Sequence, residues 1–338
     1  MIRRVCFILL SLASVIFGGS SNVDAAFMNY KRHKVVAFDA PVAAILSEIL
    51  PNNVTLNYID INPEQEHISA GSLKAELRDV TMVVMVANHV NTELRDYLVK
   101  NKIKVVNLLE LDLMKDIVNS TANGLLFDKS KQGDVDVDMP RILSKNIWLS
   151  VSNMIIATYS LCTDIEQMYG KESNTVNTKC SSLKASLHNL DKKIKREFFS
   201  CRRHIVSFDR GIGYFADNYR LNYVGPIVND AMNQDYLLSI REILKTSKLS
   251  KRTVCVVANK EVDNPKYGAL LSEISSSNGS VDMISLQADG KDVDWTKGLE
   301  GYENFMNAIS SKMVRCACTM SSAKKKNGVE INIVAPKV

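Results

Sequence analysis

Apolar residues fall along this chain in short blocks that alternate between two periods. Lys34 to Phe38 is an apolar run and predicts a strand. Ala43, Ile45, Leu46, Ile49 and Leu50 then recur at helical spacing until Pro51-Asn52-Asn53 stops them. VTLNYI predicts a second strand and Leu73 to Val80 a short helix. TMVVMVA predicts a strand buried on both faces, because its apolar run is unbroken. NTELRDYLVKN reads as a helix and IKVVNLL as another strand. The order βαβαβαβ at short intervals predicts an open parallel sheet with helices on both faces.

From Leu113 to Asp138 the pattern fails, and DKSKQGDVDVDMP is a polar, acidic loop. NIWLSVSNMIIATYSLCTDIEQMY restores a helix, with Ser150 or Ser152 as its cap. Val176, Cys180, Leu183, Leu187, Leu190, Ile194 and Phe198 then recur at spacings of three and four. They predict one long amphipathic helix from Glu172 to Phe199, free of Gly and Pro. A second α/β series follows. HIVSF, LNYVGP, TVCVVAN and VDMISL predict strands, and IGYFADNY, YLLSIREILKT, KYGALLSEISS and GYENFMNAISSKMV predict helices. The fold class expected is therefore α/β: two lobes, each with a mainly parallel sheet flanked by helices, joined by a single long rigid helix. Residues 26–171 form the N-terminal lobe, 172–199 the linking helix and 200–320 the C-terminal lobe. The basic tail, 321–338, is either an edge strand or disordered.

The start of the chain changes the compartment. MIRRVCFILLSLASVIFGG places Arg3 and Arg4 before an apolar run from Val5 to Phe17, and small residues follow it. This reads as a signal peptide over residues 1–25, too short in its apolar part for a membrane span, and it predicts an exported protein. The formal charge of +5 becomes +4 when Arg3, Arg4 and Asp24 leave, and no Lys/Arg stripe is interleaved with aromatics, which argues against nucleic acid as a partner. Of seven cysteines, Cys6 leaves with the signal. Export permits disulfides among Cys162, Cys180, Cys201, Cys255, Cys316 and Cys318. Cys162 with Cys180, on neighbouring helical segments, is the favoured pair. Cys201 and Cys255 read as strand-edge residues, for which buried free thiols stand level with disulfides, and Cys316-Ala317-Cys318 is a minor candidate for a soft metal.

Four positions stand where two parallel sheets would meet a cleft: His67, Asn146, Asp209 and Gln287. Each also has an ordinary reading, as a loop histidine, a turn or cap, a helix-start acceptor and a turn. There is no CxxC, HExxH, calcium-loop, P-loop or GxSxG pattern, and Gly211-Ile212-Gly213 lacks the third glycine of a dinucleotide fingerprint. No nucleophile–base pair stands in a convincing context, so no enzyme activity is expected.

Several segments, in order, carry a resemblance: VVAFDAPVAAILSEIL, EHISAGSLKAELRDVTMVVMVANHVNTEL, SKNIWLSVSNM, HIVSFDRGIGYFADNYRLNYVG, SVDMISLQADG and GYENFMNAI. Together they resemble the zinc/manganese ABC-transporter periplasmic solute-binding protein family, whose two lobes share one long helix, and this chain looks like a divergent member with altered ligand residues. The resemblance covers about Lys34 to Met313. It implies a monomer that captures a divalent metal ion between its lobes and delivers it to an ABC-transporter membrane permease. Carried over by motif, the metal ligands fall on His67, Asn146, Asp209 and Gln287. Only His67 keeps the family's usual type. Asn146 replaces an imidazole, Asp209 stands where His or Glu is usual, and Gln287 replaces a carboxylate. Amide oxygens suit manganese or iron better than zinc. Three readings follow. The site binds manganese or iron weakly; or it has lost metal and the fold serves as a structural or protein-interaction module; or it binds something else or recruits Glu64, Glu66, Asp289 or Asp292 as ligands. Arg210, next to Asp209, would in the second case pair with it and stand in for the cation. The acidic stretch Asp134, Asp136 and Asp138 lies where zinc binders often carry a histidine-rich loop.

Overall fold

The computed structural model describes residues 33–66, 68, 70–87, 89–114, 146–208, 211–226, 254–259, 281–288, 290–318 and 331–333. The signal peptide, the acidic stretch 134–138 and the helices expected at YLLSIREILKT and KYGALLSEISS lie outside the described residues.

In the N-terminal lobe the chain runs β1 (Lys34–Ala37), α1 (Ala40–Ile49), β2 (Thr55–Tyr58), α2 (Ala70–Leu73), β3 (Val80–Met85), α3 (Thr92–Lys100) and β4 (Lys104–Asn107). The strands form one sheet in the order β2-β1-β3-β4, all parallel. The unbroken apolar runs have a simple cause. Val35, Ala37, Met82 and Val84 point to one core, while Val36, Phe38, Val83 and Met85 point to another on the opposite face.

One sequence expectation is corrected here. The segment Leu73 to Val80 is not a helix; α2 ends at Leu73 and turns continue to Asp79. Leu73, Leu77 and Val80 are buried as a helical period requires. The backbone, however, keeps one bond of helical span, Leu77 N to Leu73 O, and then tightens, with Arg78 N on Ala75 O and Val80 N on Leu77 O. Asp79 at φ 60° ends the segment and turns the chain into β3.

Two helices follow the 3₁₀ turn Ile147–Leu149: α4 (Val151–Met168) and α5 (Ser173–Phe198). Ser150 caps α4, its side chain accepting from Asn153 N at 3.2 Å. The long helix does not stand alone. It packs against α4 as a hairpin, and the Cys162–Cys180 disulfide joins the two.

The C-terminal lobe contains β5 (His204–Ser207), α6 (Gly213–Asn218), β6 (Asn222–Pro226), β7 (Val254–Asn259), β8 (Val281–Leu286), α7 (Leu299–Ala317) and β9 (Ile331–Ile333). Its sheet order is β6-β5-β7-β8-β9, again all parallel, with β9 of the tail at the edge beside β8. Cys201–Cys318 and Cys255–Cys316 are disulfides that tie the end of α7 to β7 and to the entry of β5. This overturns both the free-thiol and the soft-metal readings, because a sulfur bonded to sulfur offers no thiolate.

One apolar cluster crosses from lobe to lobe. It contains Ile45 and Ile49 of α1, Leu161 and Ile165 of α4, Leu183 and Leu187 of α5, Ile205 of β5, Val257 of β7 and Met306 and Met313 of α7. The helix α1 packs directly on α7, and both pack on α5.

Candidate metal centre

Parallel strands bring their C-terminal ends to one rim, and both sheets do so here. On the N-lobe rim, Asp39 follows β1 and its Oδ2 accepts from Val86 N, just beyond β3, at 2.8 Å. Asn107, at the end of β4, brackets the neighbouring residue: its Nδ2 donates to Ala87 O at 2.7 Å and its Oδ1 accepts from Ala87 N at 3.2 Å. The ends of β1, β3 and β4 are thereby laced by side chains where the ladder stops. The loop after β2 is held to the same rim, with Asn91 N on Pro63 O and Asn91 Nδ2 on Gln65 O.

This rim is acidic. Tyr58, at the end of β2, has its phenol pushed up to about 12 by burial, then by Asp60, with Asp39 adding to it. Glu64, Glu66, His89 and Glu93 border a hollow of about 450 Å³ nearby. Carboxylates gathered on one rim raise the local concentration of cations. Among the described residues, though, no three His, Cys, Asp or Glu side chains come close enough to hold a metal ion.

The second segment meets the C-terminal lobe. Asn146 is half-buried, and its carbonyl accepts from Leu149 N to open the 3₁₀ turn. Two residues on, Trp148 Nε1 donates to Ala288 O at 3.2 Å. Ala288 follows Gln287, which is also half-buried, at the C-terminal end of β8. From the other side, Tyr302 Oη of α7 donates to Trp148 O at 2.8 Å. Complete burial holds the Tyr302 phenol far above its ordinary pKa, with Tyr219 and Asp191 adding to it, so it serves as a neutral donor. On the C-lobe rim, the Ser207 and Tyr223 hydroxyls share a hydrogen bond of 2.6 Å, and Phe208 N donates to Val257 O.

Of the four candidate ligands, Asn146 and Gln287 thus belong to two turns that a hydrogen bond joins. His67 and Asp209 lie outside the described residues, as do Arg210 and Asp289. Sequence reasoning missed the residues that shape this rim. Asp39 had a signal, since an acid two positions before Pro41 marks a helix start. Trp148 and Tyr302 stand in two of the segments that carry the resemblance, SKNIWLSVSNM and GYENFMNAI, but nothing local names their partners, which are far away in sequence.

A model of the family described as ZnuA, zinc-uptake complex component A, periplasmic, matches residues 35–316. No curated protein matches this sequence. Among solved structures, the periplasmic zinc-binding protein TroA from Treponema pallidum is similar at 15% identity and a TM-score of 0.58, covering 85% of this chain and 99% of that one. The solute-binding protein FpvC from Pseudomonas aeruginosa, solved with Mn2+, is similar at 13% identity and a TM-score of 0.58, covering 85% and 98%. The laminin-binding protein Lmb of Streptococcus agalactiae, described as bifunctional with adhesin and metal-transporting activity, is similar at 15% identity and a TM-score of 0.56, covering 83% and 99%. At such identities these structures establish the fold. Among the described residues no helix is long and apolar enough to cross a membrane.

Proposed function

Since this chain belongs to the family of periplasmic zinc-uptake complex component A proteins, we propose that it is the solute-binding component of an ABC importer. It captures a divalent metal ion in the cleft between its lobes and delivers it to a membrane permease. The family consists of non-catalytic transport proteins, and no covalent step is needed. His67, Asn146, Asp209 and Gln287 are the proposed donors. They offer one imidazole, one carboxylate and two amide oxygens, a set that favours manganese or iron over zinc. The observation that carries the donor set is the Trp148–Ala288 hydrogen bond, which joins the turns of Asn146 and Gln287.

The test is a metal screen on metal-stripped mature protein, following melting temperature and bound metal by elemental analysis. Manganese should raise the melting temperature, and Asp209→Ala should abolish the shift. The absence of both a shift and bound metal with manganese, iron and zinc would overturn the reading.

A second reading has one observation in its favour: amides stand at two of the four ligand positions, which weakens any metal site. The fold would then serve as a protein-interaction module, and Arg210 would neutralise Asp209. In that case Arg210→Ala should lower stability by itself, and metal should make no difference.

A further inference from the structure

The chain has two tryptophans, and both indole N–H groups end on one turn. Trp148 Nε1 donates to Ala288 O at 3.2 Å, and Trp295 Nε1 donates to Gly290 O at 2.9 Å. The turn is the one that Gln287 opens, closed by Gly290 N on Gln287 O at 3.3 Å. An indole N–H only donates, and for the buried Trp148 leaving it or its carbonyl unpaired is costly, while the half-buried Trp295 holds its acceptor with the shorter bond.

The two rings come from different parts of the molecule. Trp295 belongs to the C-terminal lobe, in the 3₁₀ turn before α7, and packs edge-on against Phe305 with ring centres 5.3 Å apart. It also dictates the residue it touches. Gly290 has φ +69°, and a Cβ there would lie 2.5 Å from Cζ2 of Trp295. Trp148 comes from the segment before α4, and its own carbonyl is held by Tyr302 of α7. The Trp295 bond stays within one lobe and survives any movement of the lobes. The Trp148 bond ties the turn instead to the segment that Asn146 opens, 140 positions away in sequence.

We propose that Trp148 is a positioning residue, a latch that holds the Gln287 turn against the Asn146 turn, with Trp295 as the fixed half of the clamp. Breaking the latch loosens the Gln287 turn, which the Trp295 bond alone then holds to the C-terminal lobe. Its consequence for cargo, slower release while the latch is closed, rests on the cation reading of the cleft.

The test uses the full mature protein with Trp148→Phe, and with benzothienylalanine at position 148, which keeps the ring and lacks the N–H. Hydrogen exchange on metal-free protein reads the Gly290 amide against those of β8. Both variants should speed Gly290 exchange about tenfold, the worth of one buried hydrogen bond, with β8 unchanged. In manganese-loaded protein the transfer of Mn2+ to a chelator should speed up by a similar factor. Unchanged Gly290 exchange in the benzothienylalanine protein overturns the latch. Faster exchange in a protein that binds none of manganese, iron and zinc supports the latch and removes the cation reading. Manganese binding with an unaltered release rate overturns the latch and leaves the cation reading standing.

Discussion

Glu48 shows how much one side chain can carry across this molecule. It lies on α1, yet its Oε1 accepts from Leu299 N at 2.9 Å and so caps α7, 251 positions away. The chain before the cap is bent to fit it. Gly298 has φ +57°, and a Cβ there would come within 2.1 Å of Glu48 Oε1. Glu48→Ala should lower stability by about 1 kcal/mol in urea unfolding, whereas Glu48→Gln, which keeps the acceptor oxygen, should lose much less. Equal losses would show that the oxygen is not what matters. In the sequence Glu48 is one polar position on an amphipathic helix, and nothing local reveals its partner. The tyrosines give a second residue-scale expectation. Burial raises the phenols of Tyr214, Tyr219 and Tyr302 above 10, and Tyr58 reaches about 12 through burial, Asp60 and Asp39. A folded-state pKa above the unfolded one means that the folded protein holds the proton more tightly. Stability is therefore intact below pH about 10 and falls as pH rises through the folded values. Phenolate absorbance of the three buried rings should appear only together with unfolding, while Tyr58→Phe should delete a component near 12. Buried phenolates forming in folded protein would contradict this.

At the scale of elements, the α4–α5 hairpin is the clearest unit. Its seven apolar positions on α5 follow the helical period and all are buried, which is why the long helix could be read almost to the residue. Cys162 and Cys180 lie 18 residues apart, across the turn between the helices. Replacing both by Ala should cost about 3 kcal/mol by loop-closure entropy, read as a lower denaturation midpoint with secondary structure retained. No change would mean that helix packing alone fixes the hairpin. Leu187→Ala, at a fully buried site on α5, should cost about 2–5 kcal/mol. The segment Leu73 to Val80 was legible in its burial and not in its backbone. Apolar spacing reports which residues face the core, and a run of turns can satisfy that spacing as well as a helix can.

For the whole molecule, the shared core matters most. The cluster that holds Ile45, Leu187, Val257 and Met306 runs from one lobe into the other, and α1 rests directly on α7. Lobes built this way should not unfold separately. Tryptophan fluorescence and far-ultraviolet circular dichroism should report one coincident urea transition. Two resolved transitions would mean that the common cluster contributes little cohesion. The same packing makes wide hinge opening an expensive route to the cleft, because parting the lobes exposes that cluster. Small movements of rim turns, such as the one that carries Gln287, do not.

What the sequence determined by itself is everything written in local period and order: the alternation of strands and helices, the two α/β series, the long helix between them and, through ordered motifs, the four positions proposed to meet a cation. These follow from nearest-neighbour geometry, in which a residue's burial depends on its place in a strand or helix. Only the tertiary structure decided the rest: the lacing of the strand ends by Asp39 and Asn107, the capping of α7 by Glu48, the pairing of Cys201 with Cys318 and Cys255 with Cys316, and the joining of Trp148 to Ala288. Each is a specific pairing between residues far apart in the chain. Such pairings depend on the relative placement of whole elements, which hydrophobic period leaves open.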